Sequence, residues 1–291
     1  MTLTVCLSFD FDATSLWIAS GAGATDVSRG EFGAVAVPRI LDMLERTGAR
    51  ATFFVPGHTA LAYPPLVRAI AADGHELAPH GWVHESTRDL PKESERALLE
   101  KNLEILARLS GADPKGHRAS SDQLSPHTIE ILAELGIEYD ASCSGSDFDP
   151  YYLRVGDSWS VTGPYRFGEV SNVLEIPFSW ALDDFPQFEF WPGWGHRLAS
   201  PAEVEALWRE EFDHAVKRAP DGVFDLCLHP QCIGRWPRLA MLEQLVSYMA
   251  GHDGVTFRTM LDFAREWKAA NPAAEWAERN STLCGRDSLL E

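Results

Sequence analysis

The sequence is short of basic residues, of paired cysteines and of long hydrophobic runs, and each shortage removes a class of function. Lysine and arginine number 25 against 43 aspartates and glutamates, a formal charge of −18. That balance argues against nucleic acid and anionic membrane surfaces as partners, since both are held by clustered cations. The cysteines (Cys6, Cys143, Cys227, Cys232, Cys284) are odd in number and form no Cys-x-x-Cys pair, which suits reduced thiols in a cytoplasmic protein. No basic start leads into a long apolar segment, so neither a leader nor a membrane span is expected. A Gly-rich phosphate loop is missing after the first apolar run, which counts against a dinucleotide fold. Repeats and low-complexity linkers are missing too.

What is present is 291 residues with 45% apolar content, enough for one large α/β domain with its own core. Strand-like runs alternate with helical stripes, which means parallel strands covered by helices. Polar clusters fall at the strand C-terminal ends, and this favours a closed barrel over an open sheet. We expect residues 1–271 to form a single barrel and 272–291, which lack a stripe, a C-terminal tail. Residues 14–32, rich in Gly, Ala and Ser, read as a long loop, with Pro38 opening the next helix. Residues 149–165 read as an irregular, aromatic pocket wall.

The chain is organised around Pro79-His80-Gly81-Trp82-Val83-His84-Glu85. Two imidazoles four residues apart can offer neutral nitrogens to one divalent cation. With 10 histidines in the chain, chance alone supplies about 0.3 such pairs, so the pair needs partners. The start of the chain provides them: Val5-Cys6-Leu7-Ser8-Phe9-Asp10-Phe11-Asp12 is an apolar run that delivers two carboxylates to a barrel mouth. Arg118, Asp140 and His229, the last in Leu228-His229-Pro230, lie at other strand ends.

Together these residues suit hydrolysis of an amide. A metal on Asp12, His80 and His84 would keep an open position for water. Asp10 would take a proton from that water and His229 would give one to the departing nitrogen. Arg118 would pin Asp10, and Asp140 would hold His229 as the imidazolium. Zinc is the default cation, and Co2+, Ni2+ or Fe2+ accept the same ligands.

Five segments resemble the motifs of the polysaccharide deacetylase, or NodB-homology, family: Ser8-Phe9-Asp10-Phe11-Asp12, His80-Gly81-Trp82-Val83-His84-Glu85, His117-Arg118-Ala119-Ser120, Tyr139-Asp140-Ala141-Ser142 and Leu228-His229-Pro230. The resemblance implies a distorted (β/α)7 TIM-like barrel and the same roles for Asp12, His80, His84, Asp10, Arg118, His229 and Asp140. Two departures stand out. Phe11 separates aspartates that are commonly adjacent, so the roles of Asp10 and Asp12 are open to exchange, and Ala119 stands where proline usually follows the arginine. Both features, with residues 155–160 and 179–184, are similar to a subgroup that includes a peptidoglycan deacetylase of Helicobacter, the cyclic imide hydrolases and the metal-free allantoinases. The substrate is then either an N-acetyl amino sugar or a small cyclic imide or ureide, in a pocket to which Trp82, Trp159, Trp180 and Asp183 are candidate contributors. The alternative is a catalytically silent metal- or ligand-binding protein on the same fold. A homo-oligomer is also expected.

Overall fold

The structure is a computed structural model that describes residues 2–190 and 198–285. In chain order the first half contains β1 (Leu3–Asp10), α1 (Ser15–Ala19), α2 (Ala24–Thr47), β2 (Ala51–Val55), α3 (Gly57–Ala62), α4 (Pro64–Ala72), β3 (Glu76–Pro79), α5 (Lys92–Ser110), β4 (Gly116–His117), α6 (Thr128–Glu134) and β5 (Tyr139–Asp140). The second half contains β6 (Tyr151–Val155), β7 (Ser158–Ser160), β8 (Gly163–Arg166), β9 (Glu169–Glu175), α7 (Asp184–Phe188), α8 (Pro201–Arg218), β10 (Val223–Leu228), α9 (Pro230–Ile233), α10 (Trp236–Ala250), β11 (Val255–Phe257), α11 (Met260–Ala270) and α12 (Ala273–Arg279).

Parallel pairing runs β10-β1-β2-β3 in one arc and β4-β5-β9 in the other. Two contacts close the ring. The Arg118 amide donates to the Pro79 carbonyl at 3.3 Å, joining β4 to β3, and a parallel bridge between Asp183 and Cys227 joins the chain beyond β9 to β10. This is the expected distorted barrel, with β1, β2, β3, β4, β5, β9 and β10 as its staves. β11 pairs with the start of β1, and β6 adds antiparallel to β9.

Strand alternation sorts the side chains into two layers. Val5, Leu7 and Phe9 of β1, Phe53 and Val55 of β2, and Phe224, Leu226 and Leu228 of β10 pack outward in the large core under the helices. Their neighbours Cys6, Phe54, Ala78, Tyr139, Leu174 and Val223 share a second core. Continuing that second set along β1, β3 and β10 brings Asp10, His80 and His229 to one end of the barrel interior. One period-two pattern therefore supplies both the core and the site.

Three local expectations are corrected. Residues 14–32 are not a loop: α1 occupies 15–19, and α2 starts at Ala24 and runs through Pro38, which lies inside the helix. The small residues that hide the helical stripe are there for close approach, because a Cβ on Gly30 would sit 2.1 Å from the Ala13 carbonyl oxygen. Residues 149–165 are regular, with β6 on the sheet and β7 and β8 forming an exposed antiparallel ribbon. Beyond residue 271 the chain forms α12, whose buried Trp276 meets Tyr152 with ring centroids 5.6 Å apart.

Candidate metal centre and active site

β1 projects Asp10 and the loop after it Asp12, both buried. The segment after β3 carries His80 and, one tight turn later, His84. That turn depends on Gly81, which has φ of +68°, and a Cβ there would lie 2.5 Å from the Ser120 hydroxyl. Glu85 fixes the turn by accepting from the amides of Trp82 at 2.9 Å and Val83 at 2.6 Å. Ala13, His84 and Ser121 all adopt positive φ, strain concentrated around one place.

Asp12, His80 and His84 each offer a ligand atom within 4.8 Å of the others. Asp12 Oδ1 lies 3.5 Å from His80 Nε2 and 3.7 Å from His84 Nε2. His80 Nδ1 meets the Arg118 carbonyl at 2.9 Å and must donate there, which leaves Nε2 as a bare lone pair. Buried Asp12 Oδ1 and His80 Nε2 have no hydrogen-bond partner. Two orphaned acceptors facing each other are costly without a cation and well served by one, so the donor set fits a divalent metal. Burial pushes both imidazoles down, His84 to about 3, which keeps them neutral as ligands must be.

Two further triplets meet the same spacing, Asp183 with Cys227 and His229, and Asp140 with Cys143 and Glu175. In the first, His229 Nδ1 is already committed to Asp184 at 2.8 Å. In the second, burial raises Glu175, with Asp140 adding to the rise, so the orphaned oxygens of these two carboxyls suit one shared proton.

Arg118 is fully buried inside the barrel, its guanidinium 4.3 Å over the Phe54 ring. It donates to Asp10 Oδ1 at 2.9 Å, the contact expected from the sequence, and also to Asp225 at 2.7 Å and Ser8 at 2.9 Å. Burial works to raise the Asp10 pKa, but the Arg118 guanidinium, through its charge and its hydrogen bond, prevails and lowers it. Burial raises Asp12, and no arginine offsets it. Arg118 holds Asp10, whose Oδ2 also lies 3.6 Å from His80 Nε2, whereas Asp12 Oδ1 faces both His80 and His84.

His229 Nε2 points into the same space, 3.9 Å from Asp10 Oδ2 and 3.8 Å from Asp12 Oδ2. Burial opposes its charge, but Asp183, Asp184 and Asp12 outweigh burial and raise its pKa well above the ordinary value. Burial pushes Asp184 up too, so the couple as a unit retains its proton. The partner of His229 is therefore Asp184, not Asp140 as the sequence suggested. Asp140 instead meets His117 Nδ1 at 2.6 Å, because its neighbours Tyr139 and Ala141 take the inner positions and turn it to the outer face of the wall.

The cavity over these groups has a volume of about 320 Å3 and is lined by Asp10, Asp12, His80, His84 and His229 with Leu16, Ser121, Gln123, Trp180, Asp183 and Phe185. Trp180 and Asp183 thus take the expected place. Trp82 and Trp159 do not: the Trp82 indole packs against Gly57 with the Lys101 ammonium 3.5 Å from its ring centroid, and Trp159 stacks on Tyr165 in the outer ribbon. Larger depressions of about 920 and 1120 Å3 flank that ribbon and the C-terminal segment and contain none of the catalytic candidates. Sequence reasoning missed Asp184, Asp225 and Gln231. Asp184 was within reach, since Asp183-Asp184 follows a strand whose end borders the site.

A family profile described as polysaccharide deacetylase matches residues 26–139. The chain is 32% identical over 286 residues to the peptidoglycan deacetylase of Helicobacter pylori, covering 93% of this chain and 98% of the relative. The chain belongs to the polysaccharide deacetylase family. As such it is a hydrolase of carbon–nitrogen bonds other than peptide bonds. A peptidoglycan deacetylase-like protein of Gibberella zeae is 31% identical over 290 residues, 90% of this chain and 81% of that protein. A crystal structure of a protein from Mycobacterium smegmatis, assigned by its name to the same family, superposes with a TM-score of 0.82 at 34% identity, covering 92% of this chain and 91% of that one. An allantoinase, at 22% identity and TM-score 0.76 over 93% of this chain and 91% of its own, shares the fold.

Proposed function

We propose that this deacetylase-family chain opens a small cyclic imide or ureide by hydrolysis of its ring amide, with a divalent cation on Asp12, His80 and His84. The observation that carries the reading is burial. Asp10, Asp12, His80, His84 and His229 are each no more than 7% exposed and lie in a cavity of about 320 Å3, so the reacting group must descend to them. A compact ring does this more readily than a polymer lying across the surface.

Bound there, the cation supplies Lewis-acid polarisation of the carbonyl and a lowered pKa for the attacking water. Zn2+ suits the two imidazoles and one carboxylate with a position left open, and Co2+, Ni2+ or Fe2+ accept the same donors. Asp10, with Oδ1 held by Arg118, keeps Oδ2 toward the cavity to take the proton of the water. His229, anchored through Nδ1 by Asp184, delivers a proton from Nε2 to the departing nitrogen. Trp180, Phe185 and Leu16 exclude bulk water, which strengthens each of these charges.

A second reading, removal of an acetyl group from an N-acetyl amino sugar, is favoured by the name of the Helicobacter relative that aligns over nearly the whole chain. The two separate in one assay, following ring opening of succinimide, hydantoin and allantoin beside acetate release from N-acetylglucosamine oligomers, each with and without chelator. Chelator-sensitive ring opening is expected. Acetate release alone would transfer the chain to the second reading.

The same proposal places the protein in the cytoplasm, a setting that suits its five cysteine thiols. Among the described residues no helix is long and apolar enough to cross a membrane. It also makes the β7–β8 ribbon, with Trp159 68% exposed, a contact between copies in a homo-oligomer.

A further inference from the structure

We infer that Gln231 is the positioning residue that turns one oxygen of Asp12 toward the two imidazoles and thereby sets metal affinity. The inference rests on the metal centre proposed above. Gln231 is 2% exposed, on α9 directly after His229-Pro230, with its side chain beneath the loop that carries Asp12. Its amide nitrogen lies 3.3 Å from Asp12 Oδ2. A ligating carboxylate can only accept, so the amide must present its nitrogen to that oxygen, and the orientation of the side chain is fixed by chemistry.

The other end of the amide supports the same conclusion. Gln231 Oε1 is buried without a hydrogen-bond partner. It would be an ordinary 3.5 Å neighbour of a Cβ on Gly33, and that same Cβ would contact Phe11 at 3.6 Å. An orphaned carbonyl is unfavourable, and an apolar side chain of similar length would avoid it. What only the amide provides in this place is a donor to Asp12. With Oδ2 engaged by Gln231, Oδ1 is left facing His80 Nε2 and His84 Nε2, itself unpartnered. The oxygen that Gln231 holds, Asp12 Oδ2, also lies 3.8 Å from His229 Nε2.

The test is metal affinity, read with Zn2+ alone by competition against a chromophoric chelator. Gln231→Met preserves shape and removes the donor, and Gln231→Asn retracts the amide by one carbon without adding bulk. Both are expected to weaken Zn2+ binding by about 10- to 100-fold, the usual effect of removing a hydrogen bond to a metal ligand. Metal-free melting temperatures should stay close to that of the unaltered chain. Wild-type affinity in both variants would overturn the inference while leaving the metal centre intact. A parent protein that binds no Zn2+ would instead overturn the metal centre. If Gln231→Met fails to fold, Gln231→Asn decides, and if neither folds Gln231 is structural and the inference fails.

Discussion

Two buried histidine–aspartate couples stand on opposite faces of the barrel wall. His229 and Asp184 meet at 2.8 Å and His117 and Asp140 at 2.6 Å, and all four residues are buried. By local chemistry alone they are alike. The difference lies in what the second ring nitrogen faces. His229 Nε2 opens on the cavity within 4 Å of Asp10 and Asp12. His117 lies beside inward-facing Arg118, on the opposite face of the wall, and is absent from the cavity lining. A buried couple becomes an acid catalyst only where strand parity turns its free nitrogen toward the reacting space.

The largest effect expected from that contrast is in His229→Gln. It should lower kcat by about 10²–10⁴-fold, the range for a lost general acid, with Zn2+ affinity within a fewfold of the parent. Retained turnover would remove His229 from the mechanism. Asp184→Asn comes next. Its carboxylate raises the His229 pKa together with Asp183, so the variant should shift the basic limb of the kcat profile to lower pH and lose about tenfold in kcat for each pH unit by which the assay lies above the lowered imidazolium pKa. Its KM should move little. A D184N enzyme of normal kcat would place the support of His229 elsewhere, with Asp183 at 3.6 Å from Nδ1 the first candidate.

How far the sequence reached can be read from these same residues. The barrel was legible because strand-like runs alternate with helical stripes and polar clusters fall at the strand ends, and Asp10, Asp12, His80, His84 and His229 were legible because each ends or follows a strand. Asp140 was misplaced for a physical reason. β5 has only two residues, Tyr139 and Asp140, too short a run for its period to show which face looks inward. Asp184 and Gln231 were missed because their partners are 45 and 219 positions away, separations at which no local pattern operates. α2 was missed at its start because residues selected for close packing, Gly30 above all, are poor helix formers.

A smaller effect tests the mouth of the cavity. Trp180, half-exposed and set edge-on to Phe178, contributes apolar wall and no proton. Trp180→Ala should raise KM by about three- to tenfold, the cost of about 1 kcal/mol of lost contact, with kcat nearly constant. An equal fall in kcat would mean that the indole shapes the transition state rather than the entrance.

The smallest effect on turnover, and the one that tests the contrast most directly, is expected from Asp140→Asn. The Asp140 carboxylate accepts from His117 and from the Ser142 hydroxyl, whose oxygen in turn accepts the Ala119 amide, one position beyond Arg118. The network holds β4 and β5 in register, with the Gly116–Tyr139 and His117–Asp140 pairs between them. Weakening a buried, charge-assisted hydrogen bond there should lower unfolding free energy by about 1–3 kcal/mol, read as a reduced denaturation midpoint. Turnover at a temperature where the variant is folded should remain within about twofold of the parent. Should D140N instead fall as far as D184N in kcat while keeping its stability, the two couples would be functionally joined through Arg118, and the wall would carry catalytic influence from its outer face to its inner one.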